Sequence, residues 1–196
     1  MTPIVIDLEW NYSVRRQNQV AGIDNEIIQI GAAKVDLELN ITDTFVEYVR
    51  PYFYPRLNKE IISLTSITNE ELQSACRFPE VVESFRKWCG EDFVFVSWGG
   101  SDIGELRRNC EKYGINTGWL PYCYDAQLMF DDMEMQEGRC RPLNYALYYY
   151  KEKPDGAHNA LADVMSTILV LKHLDLAEGL SDDYFIVGGK PAEDDN

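Results

Sequence analysis

The sequence predicts an α/β protein in which helices flank a mixed sheet of antiparallel and parallel strands. Two observations carry this prediction. Strand patterns fill most of the first 50 residues, and from residue 58 onward helical and strand patterns alternate. Three neighbouring antiparallel strands followed by alternating helices and strands give a mixed sheet covered by helices. With 196 residues, the chain is long enough to bury a substantial core.

The individual elements follow from local patterns. The first three predicted strands cover residues 3–9, 26–36 and 42–50. Gly31 is a candidate for a β-bulge in the second strand. Thr68 and Glu71 have the spacing of a capping box, which marks the start of a helix. The remaining predicted elements are strands at 93–98 and 122–126 and helices at 58–64, 79–89, 102–113, 143–150 and 157–174.

Composition and charge limit the possible functions. The net charge of −15 argues against nonspecific binding of long nucleic acids, but not against cleavage of a nucleic-acid end held by metal ions. No apolar stretch approaches the roughly 20 residues that span a bilayer, and the N-terminus lacks the features of a signal peptide. Five cysteines cannot all pair, so we expect reduced thiols and a cytoplasmic location. We expect one domain over residues 1–178, followed by a segment, 179–196, that is partly docked or disordered.

Acidic residues and one histidine lie at the ends of predicted strands and at the start of the last helix: Asp7, Glu9, Asp102, His158 and Asp163. Strand side chains alternate between faces, so Asp7 and Glu9 point the same way. At about 100° per residue, His158 and Asp163 lie on different sides of their helix. Asp163 borders a predicted core stripe of Leu161, Val164, Ile168 and Leu171. Buried carboxylates without basic neighbours are costly unless a cation joins them.

Each of these pieces also has a simpler structural explanation. The first strand could fray into solvent after Ile6, and Asp102 could be a helix N-cap. Taken together, the acidic oxygens favour Mg²⁺ or Mn²⁺. Two such ions about 4 Å apart can clamp the attacking and leaving oxygens of a phosphoryl displacement. The histidine is then free to take the proton from the nucleophilic water.

The order and spacing of these residues resemble the DEDDh exonucleases of the ribonuclease-H-like superfamily, in the pattern Asp7-x-Glu9, Asp102, His158-x-Ala160-x-x-Asp163. The histidine five residues before the last aspartate distinguishes this pattern from a related branch with a tyrosine four residues before it. The resemblance covers the chain from about residue 3 to residue 174. The Trp98-Gly99 turn before Asp102 is similar to that of the Eri-type RNA exonucleases and sporulation-inhibitor-like proteins.

The resemblance implies a ribonuclease-H-like fold and a 3′–5′ exonuclease, with its domain at 1–178, that releases nucleoside 5′-monophosphates. It further implies that two Mg²⁺ or Mn²⁺ ions are held by Asp7, Glu9, Asp102 and Asp163, with His158 as the general base. Four residues are candidates for contacts with the substrate: Leu8, Trp10, Ile67 and Trp98.

The expected partner is single-stranded nucleic acid, with RNA or short oligonucleotides favoured over DNA, and no membrane. A run of three tyrosines at 148–150, flanked by basic residues at 139, 141, 151 and 153, is a candidate surface for phosphates and bases, although packing also explains it. Two alternatives stay open. One is a DNA exonuclease of the proofreading or repair type. The other is a nucleic-acid-binding or regulatory protein without catalysis, against which the intact set of five residues argues.

Overall fold

A mixed sheet forms the centre of the structure, a computed structural model that describes residues 1–13, 20–120, 123–154, 159–176, 180 and 185–186. Its strands are β1 (Thr2–Tyr12), β2 (Asn25–Val35), β3 (Ile41–Arg50), β4 (Cys76–Arg77), β5 (Phe93–Ser97), β6 (Cys123–Asp125) and β7 (Phe185–Ile186). Across the sheet their order is β4-β3-β2-β1-β5-β6-β7. β2 is antiparallel to both β1 and β3, whereas β5 is parallel to β1 and to β6. The predicted mixed sheet is therefore confirmed.

Helices cover both faces of this sheet. They are α1 (Lys59–Thr65), α2 (Asn69–Ser74), α3 (Phe78–Cys89), α4 (Ser101–Lys112), α5 (Ala126–Phe130), α6 (Leu143–Tyr150) and α7 (Ala160–Leu171), and a π-helical turn at Asp131–Met135 follows α5. The predicted capping box starts α2. The Thr68 amide donates to the Glu71 carboxylate at 2.8 Å, and the Glu71 amide donates to the Thr68 hydroxyl at 3.3 Å.

Two hydrophobic clusters lie on opposite faces of the sheet, and they confirm the predicted alternation along β1. Ile4, Ile6 and Leu8 belong to the cluster that contains the buried side chains of α3 and α4. Val5 belongs instead to the cluster that contains the buried side chains of α6 and α7, such as Val164. Because Asp7 and Glu9 share the face of Val5, they point toward α7.

Two predictions about these elements are wrong. Gly31 is not a bulge: it pairs in register with Asp7 and with Val46, and the register shifts occur at Glu9/Trp10 and Lys34/Val35. Leu161 is only partly buried, whereas the rest of the predicted stripe, Val164, Ile168 and Leu171, is buried. The sequence patterns also missed β4 and α5, which have two and five residues. Residue 122 of the predicted strand 122–126 and residues 157–158 of the predicted helix 157–174 lie outside the described residues.

Three further observations bear on the other expectations. None of the helices in the described ranges is long and apolar enough to cross a membrane. All five cysteines are free thiols, and Cys89, Cys110 and Cys123 are buried. From the C-terminal segment, β7 pairs antiparallel with β6, so this part of residues 179–196 contributes to the sheet.

Candidate active site

Three carboxylates meet at the face of β1 that points toward α7. Asp7, Glu9 and Asp163 each offer an oxygen, and these oxygens all lie within 4.8 Å of one another. All three side chains are partly buried. Strand alternation brings Asp7 and Glu9 to one face, and the first turn of α7 adds Asp163 from more than 150 residues away in sequence. The sequence prediction that these residues form one group agrees with this geometry.

Gly31 and Gln29 of β2 allow α7 to approach this closely. A Cβ atom at Gly31 would lie 2.4 Å from the carbonyl carbon of Ala160, so only glycine fits beneath the start of α7. The Gln29 side-chain oxygen accepts a hydrogen bond from the Ala160 amide at 3.0 Å. The Asn159 side chain caps the helix by accepting from the Ala162 amide at 3.0 Å. Together these contacts fix the height of Asp163 above β1.

Asp102 reaches the same region from the start of α4. Its side chain is only 4% exposed, and its carboxylate accepts a hydrogen bond from the Leu8 amide at 3.1 Å. It therefore holds β1 between the two acids of that strand, Asp7 and Glu9. Asp102 is not a member of the group of three carboxylates, although its charge acts on Asp7 and Glu9.

The carboxylates in this region are difficult to ionise together. Burial, followed by the charges of Asp102, Asp163 and Glu9, raises the pKa of Asp7 well above its usual range. Burial, followed by the charges of Asp163 and Asp102, raises the pKa of Glu9 to about 7. Burial is also the largest cause that raises the pKa of Asp102. Clustered carboxylates with raised pKa values fit a cation that would restore their ionised forms, and their oxygens are the ligands that Mg²⁺ and Mn²⁺ prefer.

Asp125, at the end of β6, supports the turn that leads to Asp102 and is not among the site residues predicted from the sequence. One oxygen of its carboxylate accepts hydrogen bonds from the amides of Gly99 (3.0 Å), Gln127 (2.8 Å) and Leu128 (3.2 Å). Gly99 has a φ of +89°, a conformation that favours glycine. The available signal was an aspartate directly before a short helix, which is a common N-cap.

A cleft of about 370 Å³ opens beside the carboxylates. Asp7 and Asp163 lie on its border, and its other lining residues are Trp98, Pro142, Leu143, Asn144, Leu147, Pro154 and Ser166. The Trp98 indole donates to the carbonyl oxygen of Arg141 at 3.0 Å, which fixes the end of β5 against the start of α6. Trp98 is thus the predicted substrate contact that the structure places in a cleft with the metal-ligand candidates.

The other three predicted substrate contacts lie in packed surroundings. Leu8 is buried in the cluster of α3 and α4, and Trp10 packs against that cluster. Ile67 is buried with Ile28 and Leu72 in a third cluster. His158, the predicted general base, lies outside the described residues, so its place relative to the carboxylates stays a prediction.

The tyrosine run and its basic neighbours form a mixed surface. Tyr148 is 82% exposed, whereas the ring of Tyr150 stacks on His173 with 4.1 Å between their centroids. Both Arg139 and Arg141 form ion pairs with Glu137. The two arginines are therefore partly neutralised, which weakens the expectation of a phosphate-binding surface.

Comparison with known proteins agrees with this geometry. The model of the Exonuclease family, RNase_T, matches residues 4–171. The chain belongs to the exonuclease family. KapD of Bacillus subtilis (strain 168), named a probable 3′–5′ exonuclease, is 30% identical over 86 residues, which are 43% of this chain and 42% of KapD. The PolC-type DNA polymerase III of Staphylococcus haemolyticus (strain JCSC1435) is 33% identical over 156 residues, which are 78% of this chain and 10% of the polymerase. The chain thus spans less than half of either relative.

Solved structures show the same fold. The nuclease domain of 3′hExo, a DEDDh family member bound to rAMP, has a TM-score of 0.77 at 20% identity, over 91% of this chain and 92% of that domain. Exonuclease I of E. coli, in complex with a dA16 oligonucleotide, has a TM-score of 0.67 at 17% identity, over 87% of this chain and 40% of that chain. The ribonuclease-H-like fold and the resemblance to the DEDDh exonucleases are therefore confirmed.

Proposed function

We propose that this protein is a 3′–5′ exonuclease that uses two divalent ions, Mg²⁺ or Mn²⁺, to release nucleoside 5′-monophosphates from single-stranded RNA or short oligonucleotides. The observation that carries this proposal is the meeting of Asp7, Glu9 and Asp163 within 4.8 Å in a family of exonucleases. Bound ions would neutralise the developing charge on the phosphate and favour ionisation of the attacking water.

Each side chain then has a distinct task. Asp7, Glu9 and Asp163 would hold the ions, and the raised pKa values of Asp7 and Glu9 make cation binding the favourable way to keep those two carboxylates ionised. Asp102 stays the fourth proposed ligand, and it also fixes the backbone between Asp7 and Glu9 through the Leu8 amide and adds negative charge to the same region. His158 would take the proton from the nucleophilic water, since a histidine has a pKa near neutrality.

The choice between RNA and DNA as the substrate is the more specific part of the proposal. Two observations favour RNA or short oligonucleotides. The likeness to the 3′hExo nuclease domain, which was solved with rAMP, covers nearly the whole of both chains. The net charge of −15 disfavours many phosphate contacts along a long strand. A DNA substrate is the second candidate, because the PolC-type polymerase is 33% identical over most of this chain.

Substitution of Asp163 tests the metal site. Asp163→Asn keeps the shape of the side chain and removes the charge. We expect it to lower Mn²⁺-dependent release of mononucleotides by more than about 100-fold, because even outer partners of metal ligands typically contribute 10–100-fold. Asp92→Asn is the matched control, because the Asp92 side chain is 80% exposed and pairs with the N-terminal amine. Unchanged release by Asp163→Asn would show that the metal site is assigned wrongly.

A substrate panel tests the reaction itself. Single-stranded RNA, DNA, a duplex with a 3′ overhang and dinucleotides are each incubated with Mg²⁺ and with Mn²⁺, and the products are separated by chromatography. We expect 5′-monophosphates from the 3′ end, and none after chelation. If no substrate released a mononucleotide, the chain would instead be a binding or regulatory protein with this fold. A steep loss of activity with salt would contradict the preference for short substrates, because it implies many phosphate contacts.

A further inference from the structure

The cleft beside the carboxylates is mostly apolar and contains one polar group that the fold does not explain. Trp98, Leu143 and Leu147 form much of its wall, and its volume of about 370 Å³ lies in the range of ligand clefts. The wall is held in place, because the Arg141 carbonyl accepts from the Trp98 indole at 3.0 Å and from the Gln127 amide group at 2.7 Å. A rigid apolar wall next to metal-ligand candidates suits a flat, partly apolar part of a substrate.

Ser166 is the unexplained polar group. It lines the cleft, is only 1% exposed, and its hydroxyl has no hydrogen-bond partner in the described part of the chain. Serine in a helix commonly bonds to the carbonyl four residues earlier, but the Ser166 hydroxyl does not bond to Ala162. A buried hydroxyl without a partner destabilises the fold, because it has lost its hydrogen bonds to water and gained none in return. The unpaired Ser166 hydroxyl therefore lowers the stability of the free protein, and a bound ligand would supply the missing hydrogen-bond partner.

The position of Ser166 indicates which part of a substrate it would meet. It lies three residues after Asp163 on α7, and side chains with this spacing are about 5–6 Å apart at their Cβ atoms. In a nucleic acid the sugar is the group joined directly to the phosphate. With the scissile phosphate at Asp7 and Asp163, the adjoining sugar would lie close to Ser166 and its base would reach the apolar wall.

We propose that Ser166 binds the 2′-hydroxyl of the nucleotide in this cleft and thereby makes the enzyme prefer RNA over DNA. The proposal rests on the exonuclease function proposed above. A deoxyribose would leave the Ser166 hydroxyl buried and unpaired, and a site built to bond a hydroxyl discriminates against analogues that lack it. The 2′-hydroxyl is also the group by which proteins distinguish RNA from DNA.

The test compares Ser166→Ala with the native protein on a ribo- and a deoxyribo-oligonucleotide of the same sequence. We expect kcat/KM on the ribo-oligonucleotide to fall by about 10-fold, the effect of one hydrogen bond, with a change of less than about 2-fold on the deoxyribo-oligonucleotide. The ratio of the two values therefore falls by about 10-fold. The Tm should be unchanged or higher, because the substitution removes an unpaired buried hydroxyl. Ser74→Ala, an exposed serine in α2, is the matched control.

Three outcomes would overturn this assignment without affecting the exonuclease function. Equal losses on both substrates would show that Ser166 acts through structure. No loss on either substrate would show that it does not contact the strand. If only inhibition by added AMP changed, the cleft would bind the released product instead. Failure of the exonuclease function would be recognised separately, since the native protein would then release no mononucleotide from either oligonucleotide.

Discussion

Substitution of Gly31 by alanine should disable the site from a position that is not among the candidate metal ligands or substrate contacts. The added Cβ would lie 2.4 Å from the Ala160 carbonyl carbon and 2.5 Å from the Leu161 amide nitrogen. Since carbon atoms in contact are about 3.5–4.0 Å apart, the start of α7 would have to retreat by about 1 Å. Asp163 would move with it, away from Asp7 and Glu9. A misplacement of about 1 Å typically costs about 100-fold in rate.

Stability should fall by much less than activity. Overpacking of this kind lowers the free energy of unfolding by about 1–3 kcal/mol, whereas the total free energy of unfolding of a native domain is about 5–15 kcal/mol. Gly31→Ala should therefore remain folded at 25 °C while its kcat falls by about 100-fold. Urea unfolding, followed by tryptophan fluorescence, measures the first effect, and mononucleotide release under saturating Mn²⁺ measures the second. Calorimetric titration with Mn²⁺ should show weaker binding.

The matched control is Gly104→Ala in α4. The atoms nearest to a Cβ at Gly104 would be those of the Arg108 guanidinium, at ordinary contact distances of 3.6 Å or more. Because alanine is a better helix former than glycine by about 1 kcal/mol, this variant should be as active as the native protein and slightly more stable. Native kcat and Mn²⁺ affinity in Gly31→Ala would refute the reasoning, since they would mean that the position of α7 does not determine the site.

Three further predictions follow from the same geometry. Asp125→Ala leaves three amides without their acceptor and should lower the free energy of unfolding by at least about 2 kcal/mol. Asp125→Asn keeps an acceptor oxygen and should lower it by less; equal urea midpoints of the two variants would contradict this. In the metal-free protein, the raised pKa of Glu9 contributes stability that is fully present below about pH 4.5 and is lost as the pH rises through about 7. Glu9→Gln should abolish this contribution, which urea titrations with EDTA at several pH values measure. If the free energy of unfolding depended on pH equally in Glu9→Gln and in the native protein, Glu9 would not be its source. Mn²⁺ at about 100 times its Kd should raise the free energy of unfolding by about 2.7 kcal/mol in the native protein and by much less in Asp163→Asn, as measured by thermal unfolding; equal gains would mean that the ion binds away from Asp163.

Much of the fold and of the candidate site could be predicted, because the sequence patterns that indicate them involve residues close together in the chain. The alternation along β1 depends on neighbouring residues only, and it assigned Asp7 and Glu9 to one face. The capping box at Thr68 spans four residues, and the structure has it as predicted. The candidate metal ligands could be recognised because burying an ionised carboxylate without a cation is unfavourable in any fold.

The supporting residues could not be predicted, because their roles depend on contacts between distant segments. Gln29 and Ala160 are separated by 131 residues, and nothing in the sequence near Gln29 indicates a bond to the start of a helix. Gly31 in a strand suggested a bulge, which is a local cause for a glycine, whereas the actual cause is the approach of α7. Leu161 fits the helical period of the core stripe, but its side chain is only partly buried.

The two residues of β7 form the edge of the sheet beside β6, so this edge is short. A sheet edge with unpaired backbone groups is a template for association with other chains. Phe185 and Ile186 occupy that edge at Tyr124 and Cys123, next to the strand residue Asp125. A shortened protein that ends at residue 178 would leave this edge open, and self-association through β6 would compete with the correct placement of the turn that Asp125 holds.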